Sequence, residues 1–169
     1  MPDVRHLTAT DAPAFRALRL RALREHPEAF TSSHEEDEKL SLAATGQRLQ
    51  PGGESLFWGA FEAAALCGIV GLEREQRAKN RHKATVVGMY VAPECAGRGV
   101  GRALVDAVLR EARGSGLELL VLTVTEGNQA ATRLYERAGF LSFGVEPDAI
   151  RVGGRSFAKK HMYLELSRP

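Results

Sequence analysis

The chain has 169 residues, 44% of them hydrophobic and 26% charged, an ordinary globular balance that is long enough to bury one sound core without cross-links. Its 23 basic and 21 acidic side chains leave a net charge of +2, too weak a field to suggest nucleic acid as a partner. The longest apolar run, Leu119 to Leu122 and on past Thr123 to Val124, is far short of the ~20 residues of a membrane span, and the charged first twenty residues contain no secretory apolar segment.

One domain over residues 1–169 is therefore expected. Cys67 and Cys95 are two thiols in a chain that needs no disulfide framework, which fits a cytoplasmic protein. The five histidines are scattered, and no metal-binding spacing is present. In chain order, Val4 to Leu7 reads as a short strand, and Thr8 or Thr10 can cap a helix from Asp11 to about Arg24 with Phe15, Leu18 and Leu23 on its apolar face. Ser33 can cap a second helix that begins with His34-Glu35-Glu36-Asp37-Glu38, suits the helix dipole in its acidic first turn and runs to about Leu49. Leu56 to Phe61 and Leu66 to Leu72 read as strands joined by a tight turn. A polar loop over Glu73 to Lys83 leads into a strand from His82 to Val91.

A glycine-rich turn from Pro93 to Gly101 precedes a helix from Arg102 to Arg113, where Leu104, Val105, Val108, Leu109 and Ala112 recur at helical spacing. Leu117 to Val124 is a continuous apolar strand. Asn128 caps a further helix that carries Ala131, Leu134, Tyr135 and Ala138 on one face. Phe140 to Val145 and Lys160 to Leu166 close the chain as strands, with a Gly153-Gly154 turn between them. Strands and helices alternate in mixed order, so the class is α/β (α+β) with helices on both faces of a sheet.

The chemistry concentrates in Val91-Ala92-Pro93-Glu94-Cys95-Ala96-Gly97-Arg98-Gly99-Val100-Gly101-Arg102-Ala103-Leu104. A strand ends, glycines allow close backbone approach, and a helix starts with its free N–H groups and positive dipole end facing the turn. That is an anion site suited to a pyrophosphate, with Arg98 and Arg102 bracketing it. A β-carbon at Gly99 or Gly101 is expected to intrude on the phosphate path. The turn is not a P-loop, because Arg102-Ala103 stands where Lys and a hydroxyl are needed. It is not a dinucleotide fingerprint either, because the third glycine is missing. Asn128 and Tyr135 lie two helical turns apart on one face; singly, they read as an N-cap and a core aromatic.

Together the two segments resemble the Gcn5-related N-acetyltransferase (GNAT) superfamily. The resemblance follows the whole chain in element order. Its specific content is the strand-V-x-P-x-x-x-G-x-G-x-G-x-x-L segment, followed by N-x-x-A-x-x-L-Y-E-x-x-G-F from Asn128 to Phe140. One position departs: Ala96 stands where the family's pyrophosphate motif carries Gln or Arg.

The resemblance implies a mixed, mostly antiparallel central sheet of six to seven strands, splayed between the fourth and fifth. It implies acetyl-CoA as cosubstrate, no metal, and direct transfer of the acetyl group to an amine of a small molecule or peptide. Met89, Tyr90 and Val91 match the backbone along which the pantetheine arm lies, with the Val91 N–H a donor to the thioester carbonyl and the oxyanion. Ala96, Gly97, Arg98, Gly99, Val100, Gly101 and Arg102 match the pyrophosphate turn. Asn128 matches a CoA contact, and Tyr135 matches the acid that protonates the departing thiolate. Thr123 stands where some members carry a basic Glu; Glu73, Glu75 and Glu126 lie near strand ends, and no base is assigned. The acceptor side falls at Phe30 to Glu38, where Phe30, Ser32 and Ser33 are candidate lining residues, and at Asp148 to Lys160. Dimers are common in the family and leave a homodimer open. A second reading, from another class, is a non-catalytic acyl-CoA-binding sensor or regulatory module.

Overall fold

The structure is a computed structural model that describes residues 1–167. Seven strands, β1 (Asp3–His6), β2 (Ser55–Glu62), β3 (Ala65–Arg74), β4 (Lys83–Val91), β5 (Leu119–Thr125), β6 (Leu141–Val152) and β7 (Arg155–Glu165), form one sheet in the order β1-β2-β3-β4-β5-β7-β6. Every neighbouring pair is antiparallel except β4 and β5. This is the mixed, mostly antiparallel sheet that the resemblance implied.

A parallel pair needs a crossover, and α4 (Val100–Gly114) supplies it. Its buried residues Leu104, Val105, Val108, Leu109 and Ala112 form the stripe read from the sequence, and Val100 joins them. Val100 and Leu104 pack on Gly68 of β3. The opposite face carries α1 (Ala12–Glu25), whose Phe15 meets Phe57 of β2 edge-on, with ring centroids 5.3 Å apart. The core thus fills both faces of β2–β4, and each fully buried large aliphatic side chain contributes on the order of 1.5–3 kcal/mol. No helix among the described residues is long and apolar enough to cross a membrane.

Several boundaries move. The expected helix from His34 to Leu49 is two helices, α2 (His34–Glu38) and α3 (Leu42–Leu49). Ser33 caps α2 through a capping box with Glu36, as its sequence suggests. Ser41 then makes a second cap, its Oγ accepting from the Ala44 N–H at 3.0 Å, and this breaks the run. α4 begins at Val100, two residues earlier than expected, so Gly101 lies in its first turn rather than in the loop. The closing strands are longer than their apolar runs: β6 and β7 pair up to Val152↔Arg155 across the Gly153-Gly154 turn, past irregularities in the register.

Candidate functional site

The site begins where the sheet opens. β4 and β5 share only three register pairs, Lys83↔Leu119, Ala84↔Leu120 and Thr85↔Val121. Beyond Thr85, β4 stays on β3 as far as Gly68↔Val91, while β5 stays on β7 as far as Thr125↔Lys159. β4 bends away through a bulge between Val87 and Tyr90, where Gly88 takes φ +63°, a left-handed conformation that costs other residues about 1–2 kcal/mol. The Ala92 N–H donates to the Cys67 carbonyl at 2.8 Å, on the β3 side. Alternation along an extended strand therefore turns the Val91 N–H toward the opening.

At the mouth of this notch the chain turns through Pro93–Cys95 and enters α4. Gly97 and Gly99 both have positive φ, +76° and +79°, with open space where a β-carbon would stand. Among the described residues, the N–H groups of residues 97–102 have no acceptor. They form a concave cluster of donors at the positive end of a fifteen-residue helix. The side chains expected to bracket it are engaged elsewhere. Arg98 pairs with Glu62 at 2.7 Å; Arg102 pairs with Asp106 at 2.9 Å and donates to the Arg137 carbonyl at 3.1 Å. The cradle is thus built from main-chain donors, and in this arrangement neither arginine stands in for the charged side chain that Ala96 lacks. Behind it, Glu94 receives both Nη1 and Nη2 of Arg21, at 2.7 and 2.9 Å, and this holds its carboxyl at about 2.

Two hollows meet at the notch. The outer one, about 680 Å³, is lined by Tyr90, Val91, Asn128 and Leu134 among others. The inner one, about 360 Å³, reaches from Thr85 to Tyr135. Met89, Asn128 and Ala131 line both. Asn128 keeps its capping role, with Oδ1 accepting from the Ala131 N–H at 3.2 Å, at the start of α5 (Gln129–Arg137). Tyr135 is both core and cleft. Its ring meets Phe140 edge-on at 5.6 Å, yet it lines the inner hollow and its hydroxyl makes no hydrogen bond among the described residues. Burial pushes the phenol above its ordinary value, so it carries its proton at neutral pH.

Residues 16–140 match the profile of the acetyltransferase (GNAT) family. The chain belongs to that family. A mycothiol acetyltransferase from Thermobispora bispora is 35% identical over 140 residues, which cover 80% of this chain and 45% of that enzyme. The chain spans about half the length of the curated relatives it matches. Among solved structures, a GNAT-family acetyltransferase from Streptococcus pneumoniae superposes with a TM-score of 0.89 at 24% identity, covering 99% of this chain and 100% of that one. A putative acetyltransferase from Salmonella typhimurium, solved with its cofactor acetyl-CoA, gives a TM-score of 0.82 at 22% identity over 100% of this chain and 96% of that one. Both likenesses concern the fold.

The residues expected on the acceptor side divide between the inner hollow and the helix cap beside it. Phe30 and Ser32 line the inner hollow; Ser33 does not, because it caps α2. Of the carboxylates near strand ends, Glu73 lines the inner hollow, Glu126 lines the mouth, and Glu75 accepts from Asn80 at 3.0 Å in the β3–β4 loop. Asp37, in the acidic first turn of α2, pairs with Arg19 at 3.0 Å. Arg19, Arg48 and Lys159 also line the inner hollow, and sequence reasoning gave them no role. Arg19 carried a local signal, a charge within the apolar stripe Phe15, Leu18, Ala22 and Leu23. Cys67 and Cys95 are both buried free thiols whose sulfurs lie within 4.8 Å of each other behind the cradle, and neither lines either hollow. A Glu62 oxygen lies within 4.8 Å of both sulfurs, but that carboxylate is already paired with Arg98.

Proposed function

We propose that the protein is an N-acetyltransferase that uses acetyl-CoA as donor and moves the acetyl group to an amine of a small molecule or peptide by direct attack. The observation that carries this reading is the continuity of three features: free amides at residues 97–102, a notch whose β4 edge lacks a β5 partner beyond Thr85, and Tyr135 lining its inner hollow. Acetyl-CoA supplies the activated thioester. The amides of the cradle take the pyrophosphate, because a doubly ionised group receives several N–H donors and a helix dipole at once. The exposed β4 edge along Met89, Tyr90 and Val91 takes the pantetheine arm in the way a strand edge takes another strand. The Val91 N–H faces the carbonyl oxygen, where negative charge develops. Tyr135, protonated and unbonded, delivers its proton to the leaving sulfur. Among the solved likenesses, the Salmonella typhimurium protein holds acetyl-CoA, and its topology is the one described here.

Release of free thiol from acetyl-CoA in the presence of an amine panel tests this reading. Turnover with at least one amine is expected, and Tyr135→Phe should lower kcat by about 100-fold, the usual scale of one general acid, while calorimetric affinity for acetyl-CoA stays within about twofold. Binding of acetyl-CoA without turnover, and with no effect of Tyr135→Phe, is the outcome for a non-catalytic sensor.

A further inference from the structure

The inner hollow is strongly cationic. Three cations, Arg19, Arg48 and Lys159, line it, against one carboxylate, Glu73. They come from α1, α3 and β7, so no single element imposes the cluster. Lys159 is 8% exposed, and among the described residues its ammonium donates only to Thr31 Oγ1; Glu146, its register partner on β6, is the one carboxylate that acts on it, from beyond 4.0 Å and already paired with His161. A lysine so buried is ordinarily paired, because removing an ammonium from water without a counter-charge costs several kcal/mol. Arg48 is half-satisfied: Glu73 stands 3.8 Å away, beyond hydrogen-bond reach, while burial and the neighbouring Arg19 both lower its pKa. Arg19 gives its Nε to Asp37 and stacks over Phe30, with its guanidinium carbon 5.3 Å from the ring centroid. Its Nη1 approaches β4 beside Gly88, at the notch itself. Positive charge thus gathers on the α1 side of the opening, opposite the α5 side that holds Tyr135.

We propose that Lys159, with Arg48 and Arg19, forms a subsite for a carboxylate on the acceptor, so that the acceptor is an amine that also carries a carboxylate. Such a ligand completes the electrostatics: its anion supplies the hydrogen-bonded counter-charge that Glu146 is too distant to give Lys159, and charge-assisted hydrogen bonds fix the molecule while its amine faces the notch. The inference rests on the transferase reading and deepens it.

The test uses matched pairs of α-amino acids and their C-terminal amides, which differ in the carboxylate alone, with the full chain and acetyl-CoA. A charge-assisted hydrogen bond is worth roughly 1.5–3 kcal/mol, so kcat/KM should be about 10- to 100-fold higher for the acid than for the amide in at least one pair. Lys159→Met should raise KM for the acid by about tenfold or more with little change in kcat, and should leave the amide within about twofold; Lys159→Arg, which keeps the charge, should recover most of the loss. Acetyl-CoA affinity, measured on each variant by calorimetry, shows that the fold and donor site are intact. Equal rates on acids and amides, equal losses on both in Lys159→Met, or acetyl-CoA binding without turnover of any acid, each overturns the subsite and leaves the donor site standing. Failure of the wild-type chain to bind acetyl-CoA overturns the transferase reading, and the subsite with it.

Discussion

A β-carbon placed at Gly99 enters open space in the hollow of the donor cluster, whereas one at Gly101 meets Leu134 Cδ2 of α5 at 3.3 Å. The intrusion on a phosphate expected at both positions thus holds its logic at Gly99 alone, because α4 begins early enough to turn Gly101 toward packing. Gly99→Val should weaken acetyl-CoA binding by about tenfold or more in calorimetry, at a stability cost of about 1–2 kcal/mol from its left-handed backbone. Gly101→Val should instead cost about 1–3 kcal/mol in urea unfolding, with the smaller loss of affinity. A different residue-scale prediction concerns Cys67. Burial and the neighbouring Cys95 push its thiol up to about 12 from an ordinary 9.0. The unfolded chain releases that proton near the ordinary value and the folded chain retains it, so this contribution to stability is whole below pH 9.0 and is lost as pH rises toward 12. The melting temperature of Cys67→Ala should therefore fall less than that of the wild type between pH 8 and about 10.5. At pH 8, iodoacetamide should reach Cys67 only after unfolding.

At the scale of elements, the β2–β3 hairpin holds a local conflict. Its two turn residues, Ala63 and Ala64, have φ of +47° and +66°, the paired left-handed geometry that Asn-Gly satisfies at least cost. Ala63→Asn with Ala64→Gly should raise stability by about 1 kcal/mol, read as a melting temperature higher by about 2–4 °C. Legibility in the sequence divides along the same line between local and non-local causes. The α4 stripe, the Ser33 and Asn128 caps and the Gly153-Gly154 turn are written in neighbouring residues, and each appears where its signal stands. The break at Ser41 was not legible, because two compatible caps eight residues apart read as one helix until the chain's course around α1 decides between them. The donor half of the candidate site was legible for the same reason as α4: it lies in two continuous segments. The cations of the inner hollow were not, since Arg19 and Arg48 meet through the packing of α1 on α3, and Lys159 joins them from β7 near the far end of the chain.

At the scale of the whole molecule, the described residues are organised around one parallel strand pair. β4 and β5 run side by side with antiparallel neighbours outside them, so their carboxyl ends form the switch in direction where open sheets leave a crevice. The crossover through α4 then delivers a helix N-terminus to that same edge. Two devices keep the crevice from closing: the bulge that swings β4 away at Gly88, and the β7 pairing that holds β5 back. The bulge is the more exposed of the two to mutation, because it depends on one residue at φ +63°. Gly88→Ala would place a β-carbon 3.4 Å from Arg19 Nη1, an ordinary contact, so the expected damage comes from the backbone. It should cost about 1–2 kcal/mol and lower the melting temperature by about 2–8 °C. As β4 relaxes toward a regular extended strand it narrows the notch, so acetyl-CoA affinity should fall as well. Gly144→Ala, in the edge strand β6 with nothing within 4 Å of its β-carbon, should change neither. Equal effects at Gly88 and Gly144, in melting and in calorimetry, would show that the opening is held by something other than the bulge.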